Sequence, residues 1–332
     1  MVDLTTKYLG LNLKNPLIAA SSLLTGSLDN VKKLEDSGIA AVVLQSIFEE
    51  QINKEIHQVD HFLFRNRDSF SEATEFFPQD EDFDHIRPDA YLEEVAHIKQ
   101  SVDIPIIGSL NGVSDGGWID YATKLQDAGV DALELNVTYV PTDATLNPRE
   151  IEEMYIKIIK DLRAHVKIPL SLKMNSCFTN PAFTAKQFED AGVDGLTIFD
   201  NSTLVDIDLE ELTTLTKVNL TSSSSLSQTL RWCAILYNQL DIDLCANTGI
   251  HSGEDVLKAL MSGAKATSFA SVLFQKGISE VSRMLEFIQQ WMIEKEYKSI
   301  AQMIGSISLK HTDNPAAFER SSYMHALTTY RY

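Results

Sequence analysis

One lysine interrupts an apolar segment that has the length and composition of a buried strand. Lys173 lies in the sequence LSLKMN at positions 170–175. Burying an ammonium group is costly unless the group meets an opposite charge or a ligand. We therefore predict a chemical role for Lys173. It either stabilises negative charge on a ligand as an ammonium group, or loses its proton and forms a Schiff base with a carbonyl substrate.

Two asparagines end the apolar segments that precede Lys173 in the chain. Asn111 closes SLN at 109–111, and Asn136 closes LELN at 133–136. A single asparagine at a strand end usually forms a turn. Two of them on neighbouring strands, directed at the same edge, favour carboxamide contacts with a planar polar ligand.

A third candidate site lies in the last periodic part of the chain. The sequence DLCANTGIHSGED at 243–255 predicts a strand that stops at a glycine turn, followed by a helix that begins at Ser252. The next strand, in GAKATSFAS at 263–271, ends in small hydroxyl residues. Free backbone N–H groups at such junctions bind anions, so the pattern indicates a phosphate site. The same residues would also suit an ordinary strand-to-helix junction.

A repeated pattern indicates the elements that position these residues. A small residue and a glycine end an amphipathic segment and precede an apolar stretch at Gly38, Gly129, Gly192 and Gly263. Each is typical of a helix that closes on a left-handed glycine before a buried parallel strand. Repetition along the chain predicts a (β/α)8 TIM barrel, in which chemistry occurs at the carboxyl ends of the strands.

The remaining elements follow from apolar periodicity. The segment TKYLGLNLK at 6–14 alternates around a glycine and predicts an N-terminal β-hairpin that plugs the bottom of the barrel. Helical periodicity is clear at 118–128, 148–165 and 281–296. The predicted barrel strands are 16–22, 40–47, 104–111, 132–138, 169–175, 195–200, 243–248 and 266–273.

Two connections at the predicted mouth are longer than ordinary loops. Residues 49–87 are rich in phenylalanine and predict an inserted, lid-like segment or binding wall. Residues 201–225 end in the run Ser222–Ser225, which predicts a flexible or helix-capping loop, or alternatively a gate over the site. We treat 1–332 as a single domain with a C-terminal extension at 297–332.

Composition excludes several classes of function. The formal net charge of −19 would repel nucleic acid and anionic lipid, so we expect small molecules or protein subunits as partners. The N-terminus has no apolar signal core, and no run of about 18 apolar residues occurs, which favours a soluble cytoplasmic protein. Cys177, Cys233 and Cys245 are too few for a disulfide framework, an iron–sulfur cluster or a zinc site, and we predict no metal.

Several of these motifs together resemble the dihydroorotate dehydrogenase family. They are 15–22 (NPLIAASS), 133–136 (LELN), Lys173, and 246–250 (ANTGI) with Gly263 and Ala264. The sequences at 109–112, 116–118, 141–143 and 230–232 are similar to a branch identified only as dihydroorotate-dehydrogenase-like. The resemblance covers nearly the whole chain.

The resemblance implies a cofactor and a reaction. The family binds FMN across the barrel mouth and transfers hydride from a CH–CH bond to flavin N5, which suggests oxidation of dihydroorotate to orotate in pyrimidine biosynthesis. Lys173 would lie by the flavin N1–C2 edge and stabilise negative charge. The soluble branch that this chain resembles tends to form homodimers. The flavin residues implied are Ala20, Ser21, Ser22, Gln45, Ser46, Asn111, Asn136 and Lys173, with Thr248, Gly249, Ala270 and Ser271 at the phosphate.

The chain departs from the family where substrate would bind. Asn136 would face both flavin and substrate, and Asn201 and Ser202 would correspond to the family's Asn-Ser pair. Tyr139, however, occupies the position of the catalytic Cys or Ser base. A phenol is about 2 kcal/mol, or about thirtyfold, harder to deprotonate than a thiol. Tyr139 or Thr138 is therefore the proton-transfer candidate, and Tyr139 could instead be a packing residue.

Two further departures affect the substrate and the electron acceptor. Gln45 replaces a family lysine, and the family's substrate-binding Pro-Asn is absent, so we expect the flavin site to be better preserved than the substrate site. The version of the enzyme that uses NAD has a separate iron–sulfur subunit, and no cysteine cluster here could replace it. The sequence therefore does not specify the electron acceptor.

Three functions remain open at this point. The first is a flavin-dependent dehydrogenase acting on a CH–CH donor, with Lys173, Thr138 and Tyr139 as its catalytic residues. The second is a Schiff-base aldolase or lyase that uses Lys173. The third is a flavin-binding protein without dihydroorotate activity.

Overall fold

Eight parallel strands close into a barrel in the computed structural model of the chain. The model describes residues 2–53, 88–114, 118–200, 204–218, 220–318 and 322–329. Asn201 and Ser202 lie outside the described residues, as does the part of the predicted lid at 54–87. The assignment of 1–332 to one domain stays a prediction.

Hydrogen bonding between neighbouring strands closes the ring. It runs β3-β4-β6-β7-β8-β9-β12-β13 and returns from β13 to β3, with all pairs parallel. The predicted TIM-barrel class is therefore confirmed. The barrel strands are β3 (Leu17–Ala19), β4 (Ala41–Val43), β6 (Ile106–Asn111), β7 (Ala132–Asn136), β8 (Leu170–Met174), β9 (Gly195–Ile198), β12 (Asp243–Ala246) and β13 (Ala266–Phe269).

Helices and three smaller pairings complete the fold. An N-terminal hairpin is formed by β1 (Thr6–Tyr8) and β2 (Leu11–Leu13), and β5 (Ile47–Phe48) extends the sheet beside β6. A second hairpin joins β10 (Leu204–Asp208) to β11 (Thr213–Lys217). The helices are α1 (Leu28–Asp36), α2 (Pro88–Ser101), α3 (Trp118–Asp127), α4 (Pro148–His165), α5 (Pro181–Ala191), α6 (Leu226–Leu236), α7 (Gly253–Ser262), α8 (Ser271–Lys276), α9 (Glu280–Glu294) and α10 (Ser322–Thr329).

Successive side chains on each strand point alternately into the barrel and outward to the layer of helices. On β7, Leu133 and Leu135 belong to the outer apolar cluster, in which strands pack against helices. Ala132 belongs to a smaller inner cluster. Because side chains alternate with period two, Glu134 and Asn136 point inward as Ala132 does. The same alternation directs Ser171 and Lys173 of β8 into the barrel.

The N-terminal hairpin fills the lower end of the barrel, as predicted. Tyr8, Leu9 and Leu13 are buried in the inner cluster. The backbone N–H of Leu9 donates to Asp243 Oδ2 at 2.7 Å, and Asp243 Oδ1 pairs with Lys265 Nζ at 2.5 Å. These contacts hold the hairpin to the amino ends of β12 and β13.

All four glycines of the repeated pattern have positive φ angles. The values are +103° for Gly38, +94° for Gly129, +111° for Gly192 and +125° for Gly263. A side chain is strained in this region of backbone space, so glycine ends each helix at low cost. At Gly192 the backbone N–H bonds the carbonyls of Phe188 and Glu189, which closes α5.

All eight predicted strands are longer than the observed ones, and two of them illustrate the reason. The predicted strand 266–273 ends at Phe269, since Ser271–Lys276 is helical without an intervening turn residue. The predicted strand 40–47 breaks after Val43, because the N–H of Ser46 donates to Ser21 Oγ at 3.0 Å instead of continuing the ladder. Apolar sequence continues across both points, so composition alone could not mark them.

The described part of the connection at 201–225 contains regular structure that the sequence reasoning did not predict. It contains the hairpin β10–β11, whose alternating sequences LVDID and TTLTK were a usable signal. Val205 and Ile207 are exposed on one face of this hairpin. The serine run forms a single turn, Ser223–Ser225, directly before α6, but neither Ser222 nor Ser225 caps a helix with its side chain.

Within the described ranges, none of the helices combines the length and the apolar character that crossing a bilayer requires.

Candidate functional site

Three of the predicted residues lie side by side at the carboxyl ends of the strands. The Cα of Asn136 pairs with that of Asn111 on β6 and with that of Lys173 on β8. All three side chains share the inward orientation, so they meet at one level of the barrel mouth. An ammonium group and two carboxamides thus form a continuous polar edge over three strands.

Lys173 forms an ion pair inside the barrel. Its Nζ lies 2.8 Å from Glu134 Oε1, and the side chains are only 8% and 4% exposed. Burial alone would lower the pKa of Lys173, but the nearby carboxylates of Glu134 and Asp200 outweigh that effect and raise the pKa above its usual value. Lys173 is therefore an ammonium group at neutral pH, and this charge state opposes the Schiff-base alternative, which needs a neutral amine.

A column of hydroxyl groups connects this ion pair to the barrel floor. Thr197 Oγ1 donates to Glu134 Oε2 at 2.8 Å, and lies 3.4 Å from Ser171 Oγ. Ser171 Oγ in turn lies 3.0 Å from Tyr8 OH. Burial raises the pKa of Tyr8 well above its ordinary value, so its phenol stays neutral. The column makes Glu134 part of the site, although sequence reasoning did not select it.

Thr138 and Tyr139, the two proton-transfer candidates, have different surroundings. Thr138 is exposed, and its Oγ1 accepts from Asn111 Nδ2 at 3.2 Å and lies 3.5 Å from Asn136 Oδ1. Tyr139 is half-buried, with its ring packed against the outer apolar cluster. The structure therefore brings Thr138, but not Tyr139, into contact with the mouth asparagines.

The serines after β3 and β4 bind one another. Ser21 Oγ lies 3.0 Å from Ser46 Oγ, which lies 2.7 Å from Ser109 Oγ on β6. Ala20, at the end of β3, is buried beside them. Ser22 begins the next turn, where its N–H donates to Thr25 Oγ1 at 3.1 Å. The hydroxyls of Ser21 and Ser46 thus join two mouth loops.

Gln45 packs against the loop that follows β3. Its side-chain oxygen is so close to Gly26 that a Cβ added there would lie 2.2 Å from Oε1. Its backbone carbonyl accepts from Tyr91 OH at 2.7 Å. Gln45 therefore holds the loop before α1 and the start of α2 together.

The glycine turn after β12 is built by close backbone packing. Thr248 and Gly249 have φ angles of +70° and +88°. Asn247 Nδ2 and Thr248 Oγ1 donate to the carbonyl of Phe199 at 2.7 and 3.0 Å. A Cβ on Gly249 would lie 2.4 Å from the backbone nitrogen of Leu226, the first residue of α6. Only glycine fits this position without displacing α6.

A buried aspartate connects this turn to the start of α7. Asp255 Oδ2 accepts from the N–H of His251 at 3.0 Å, from Ser252 Oγ at 3.0 Å and from Ser223 Oγ at 2.8 Å. Ser252 caps α7 by accepting from the N–H of Asp255 at 3.2 Å. The predicted helix start at Ser252 is therefore correct.

Ala270 and Ser271 lie beside this turn, at the start of α8. Ser271 Oγ accepts from the N–H of Thr221 at 3.1 Å. Thr221 Oγ1 lies 2.9 Å from His251 Nε2, and Lys276 Nζ donates to the His251 carbonyl at 3.0 Å. The Thr248-Gly249 turn, the start of α7 and the start of α8 thus form one connected unit with a lysine nearby.

Glu49, the first residue of the predicted lid segment, is buried and holds the loop that follows Asn111. Its Oε2 accepts from the N–H groups of Val113 at 2.8 Å and Ser114 at 3.1 Å. Burial would raise the pKa of Glu49, but these bonds and that from the Ser114 hydroxyl outweigh it and lower the pKa. The described start of the segment is thus tied to the barrel mouth, a role that its sequence did not reveal.

A cavity of about 690 Å³ opens at the opposite end of the barrel. It is lined mainly by the N-terminal hairpin, with Lys7, Lys14 and Lys265 around it. None of the predicted site residues that the structure describes lines this cavity. They lie at the carboxyl ends of the strands or in the loops that follow.

The chain is similar to known proteins of one family. The family model described as Dihydroorotate dehydrogenase matches residues 83–292. Three relatives are named "Dihydroorotate dehydrogenase B (NAD(+)), catalytic subunit". The protein from Thermoplasma acidophilum is 24% identical over 92% of this chain and 99% of its own length. That from Methanocaldococcus jannaschii is 24% identical over 91% and 97%, and that from Thermodesulfovibrio yellowstonii is 29% identical over 66% and 73%.

Proposed function

Because this chain belongs to the dihydroorotate dehydrogenase family, we propose that it oxidises dihydroorotate to orotate with FMN, as a step of pyrimidine biosynthesis. Family membership makes it an oxidoreductase that acts on a CH–CH donor. The observation that carries the proposal is the buried, protonated Lys173 at the barrel mouth, in register with Asn136 and Asn111.

The donor set of the mouth fits FMN. Lys173 would hold the N1–C2 edge, and Asn111 and Asn136 would hold the neighbouring polar edge of the ring. Ala20, a small buried residue just after β3, would border the ring. The Thr248-Gly249 turn, with Ala270 and Ser271, would hold the phosphate, with Lys276 as the nearby cation, because the N-terminus of α7 already accommodates the Asp255 carboxylate. When bound, the flavin supplies the acceptor for the hydride that leaves the substrate.

Protein side chains provide the electrostatics and the proton transfer. The Lys173 ammonium stabilises negative charge that develops beside it, and it is already oriented by Glu134. The substrate also loses a proton from the carbon next to the hydride donor. We assign the transfer of that proton to Thr138, whose Oγ1 would take it while the hydroxyl passes its own proton to solvent water, because Thr138 is exposed and contacts both mouth asparagines. Asn136 lies between Lys173 and Thr138 and can orient the substrate.

Anaerobic addition of dihydroorotate to the FMN-loaded protein tests the proposal. We expect flavin absorption to bleach, with orotate formed in equal amount. A yellow protein that does not bleach would favour the flavin-binding alternative. A colourless protein that does not take up FMN, but is trapped on Lys173 by borohydride with a carbonyl substrate, would favour the aldolase.

A pair of substitutions at the mouth tests the proton assignment. Thr138→Val removes the hydroxyl at nearly constant volume, and we expect it to slow flavin reduction by about 10²-fold, the usual contribution of a positioned acid or base. Tyr139→Phe is its matched control and should leave the rate within about threefold, since the Tyr139 ring packs in the outer cluster. Anaerobic stopped-flow absorption measures both rates. If flavin reduction is slow in Tyr139→Phe and normal in Thr138→Val, then Tyr139, not Thr138, transfers the proton.

We further propose a homodimer located in the cytoplasm. The exposed apolar residues Val205 and Ile207 on the β10–β11 hairpin offer a surface that a second copy could cover. Sedimentation that returns the mass of one chain would contradict the dimer.

The relatives are named as catalytic subunits, which supports a separate partner that receives the electrons.

A further inference from the structure

The carboxylate beneath Lys173 has a role that the reaction itself does not require. We infer that Glu134 is a positioning residue that fixes the place and the charge of the Lys173 ammonium group at the barrel mouth. The inference rests on the proposed function only in that Lys173 is taken to face the flavin.

The register of β7 and β8 puts the carboxylate one layer below the ammonium. The Cα of Glu134 pairs with that of Ser171, two residues before Lys173 on the same inward face. A lysine side chain is long and flexible, so an ammonium group in an open mouth has many positions available. The contact of 2.8 Å with Glu134 Oε1 selects one of them.

Glu134 is itself held from below. Its second oxygen, Oε2, accepts from Thr197 Oγ1 on β9 at 2.8 Å. The two carboxylate oxygens therefore have different partners on the two strands that follow β7 around the barrel, which fixes the plane of the carboxylate. A residue that only filled space at this position would not need a hydroxyl partner.

Among the described residues, the charged groups that act on Lys173 are Glu134 and Asp200, so Glu134 has a large effect on it. Asp200 lies just after β9 and also favours the ammonium form. Burial raises the pKa values of Cys245 and Tyr8, so both stay neutral. Without Glu134, the loss of solvation lowers the pKa of Lys173, as is known for buried lysines.

Glu134→Gln tests the inference, because it keeps the shape and removes the charge. The first readout is acetylation of Lys173 by acetic anhydride in the full chain without flavin, measured by peptide mass spectrometry. Only a neutral amine reacts, so we expect Lys173 to react at least about tenfold faster in the variant at pH 8. Raising the pH deprotonates the lysine in both proteins, so the ratio of the two acetylation rates should fall towards one at high pH.

The second readout uses the FMN-loaded protein. Sulfite adds reversibly to flavin and bleaches it, and a positive charge beside the N1–C2 edge strengthens this binding. We expect sulfite to bind about tenfold more weakly to Glu134→Gln than to the unchanged protein at pH 8. The variant and the unchanged protein are compared at the same pH, so the protonation of sulfite affects both dissociation constants equally.

Two further variants make the test independent of folding. Asp243→Asn removes the partner of Lys265 at the barrel floor. It should change neither the acetylation of Lys173 nor sulfite binding. Thr197→Val keeps both charges and removes only the hydroxyl that orients Glu134, so it should fold even if Glu134→Gln does not, and weaken sulfite binding about threefold.

The inference about Glu134 and the proposed function can fail independently of each other. Unchanged acetylation in Glu134→Gln, or equal or tighter sulfite binding in Glu134→Gln or Thr197→Val, would overturn the inference. Neither readout uses dihydroorotate. A protein that behaves as expected here but does not oxidise dihydroorotate would refute the proposed substrate and leave the role of Glu134 standing.

Discussion

Lys173→Met is expected to slow the reduction of bound flavin by dihydroorotate by about 10²–10³-fold, the usual cost of removing one preorganised charge partner from a reacting centre. The methionine side chain has a similar length but no charge. Anaerobic stopped-flow absorption gives the rate directly. A rate within about tenfold of that of the unchanged protein would mean that Lys173 is not a catalytic residue.

The same substitution should also destabilise the fold. It leaves the Glu134 carboxylate buried and unpaired, which costs about 3–5 kcal/mol in comparable cases. The double variant Lys173→Met/Glu134→Gln is the matched control, since it removes both charges. Urea unfolding should show that the double variant regains most of the stability, while its flavin reduction stays slow. A double variant as unstable as the single one would mean that the ion pair is not the source of the loss.

Gly249→Ala is expected to abolish retention of FMN during purification and to lower the free energy of unfolding by about 2–4 kcal/mol. The added Cβ meets the Leu226 nitrogen at 2.4 Å, at a φ angle of +88°. Either the turn or the start of α6 must move, and both border the proposed phosphate site. Flavin absorption of the purified protein and urea unfolding are the measurements.

Gly277→Ala provides the control for backbone strain alone. Gly277 has a similar φ angle, +84°, but its added Cβ would have nothing within 4 Å. We expect a loss of about 1–3 kcal/mol and normal flavin content. If the two variants behave alike, close packing at Gly249 has no special importance for the site.

The barrel fold could be predicted from the sequence because the residues that indicate it act over only a few neighbouring positions. Each helix end needs a residue that tolerates positive φ, and Gly38, Gly129, Gly192 and Gly263 mark these ends directly. The places where the prediction failed carry no such mark. Phe269 passes into Ser271 and the helix α8 without a glycine or proline, so an apolar run was extended past the true strand end.

Only part of the site could be predicted from the sequence. Lys173, Asn111 and Asn136 could be selected because a polar residue at the end of an apolar strand is conspicuous by itself. Glu134 could not, since its importance lies in a neighbour on another strand, and that pairing depends on register. The choice between Thr138 and Tyr139 likewise depends on which way each side chain turns after the strand ends.

The hairpin that fills the lower end of the barrel has a consequence for the order of events. Tyr8, Leu9 and Leu13 close the route from below. Molecules that come to Lys173 therefore arrive and depart at the strand carboxyl ends. The substrate and its oxidised product would share that entrance, so the product would have to leave before the next substrate takes its place.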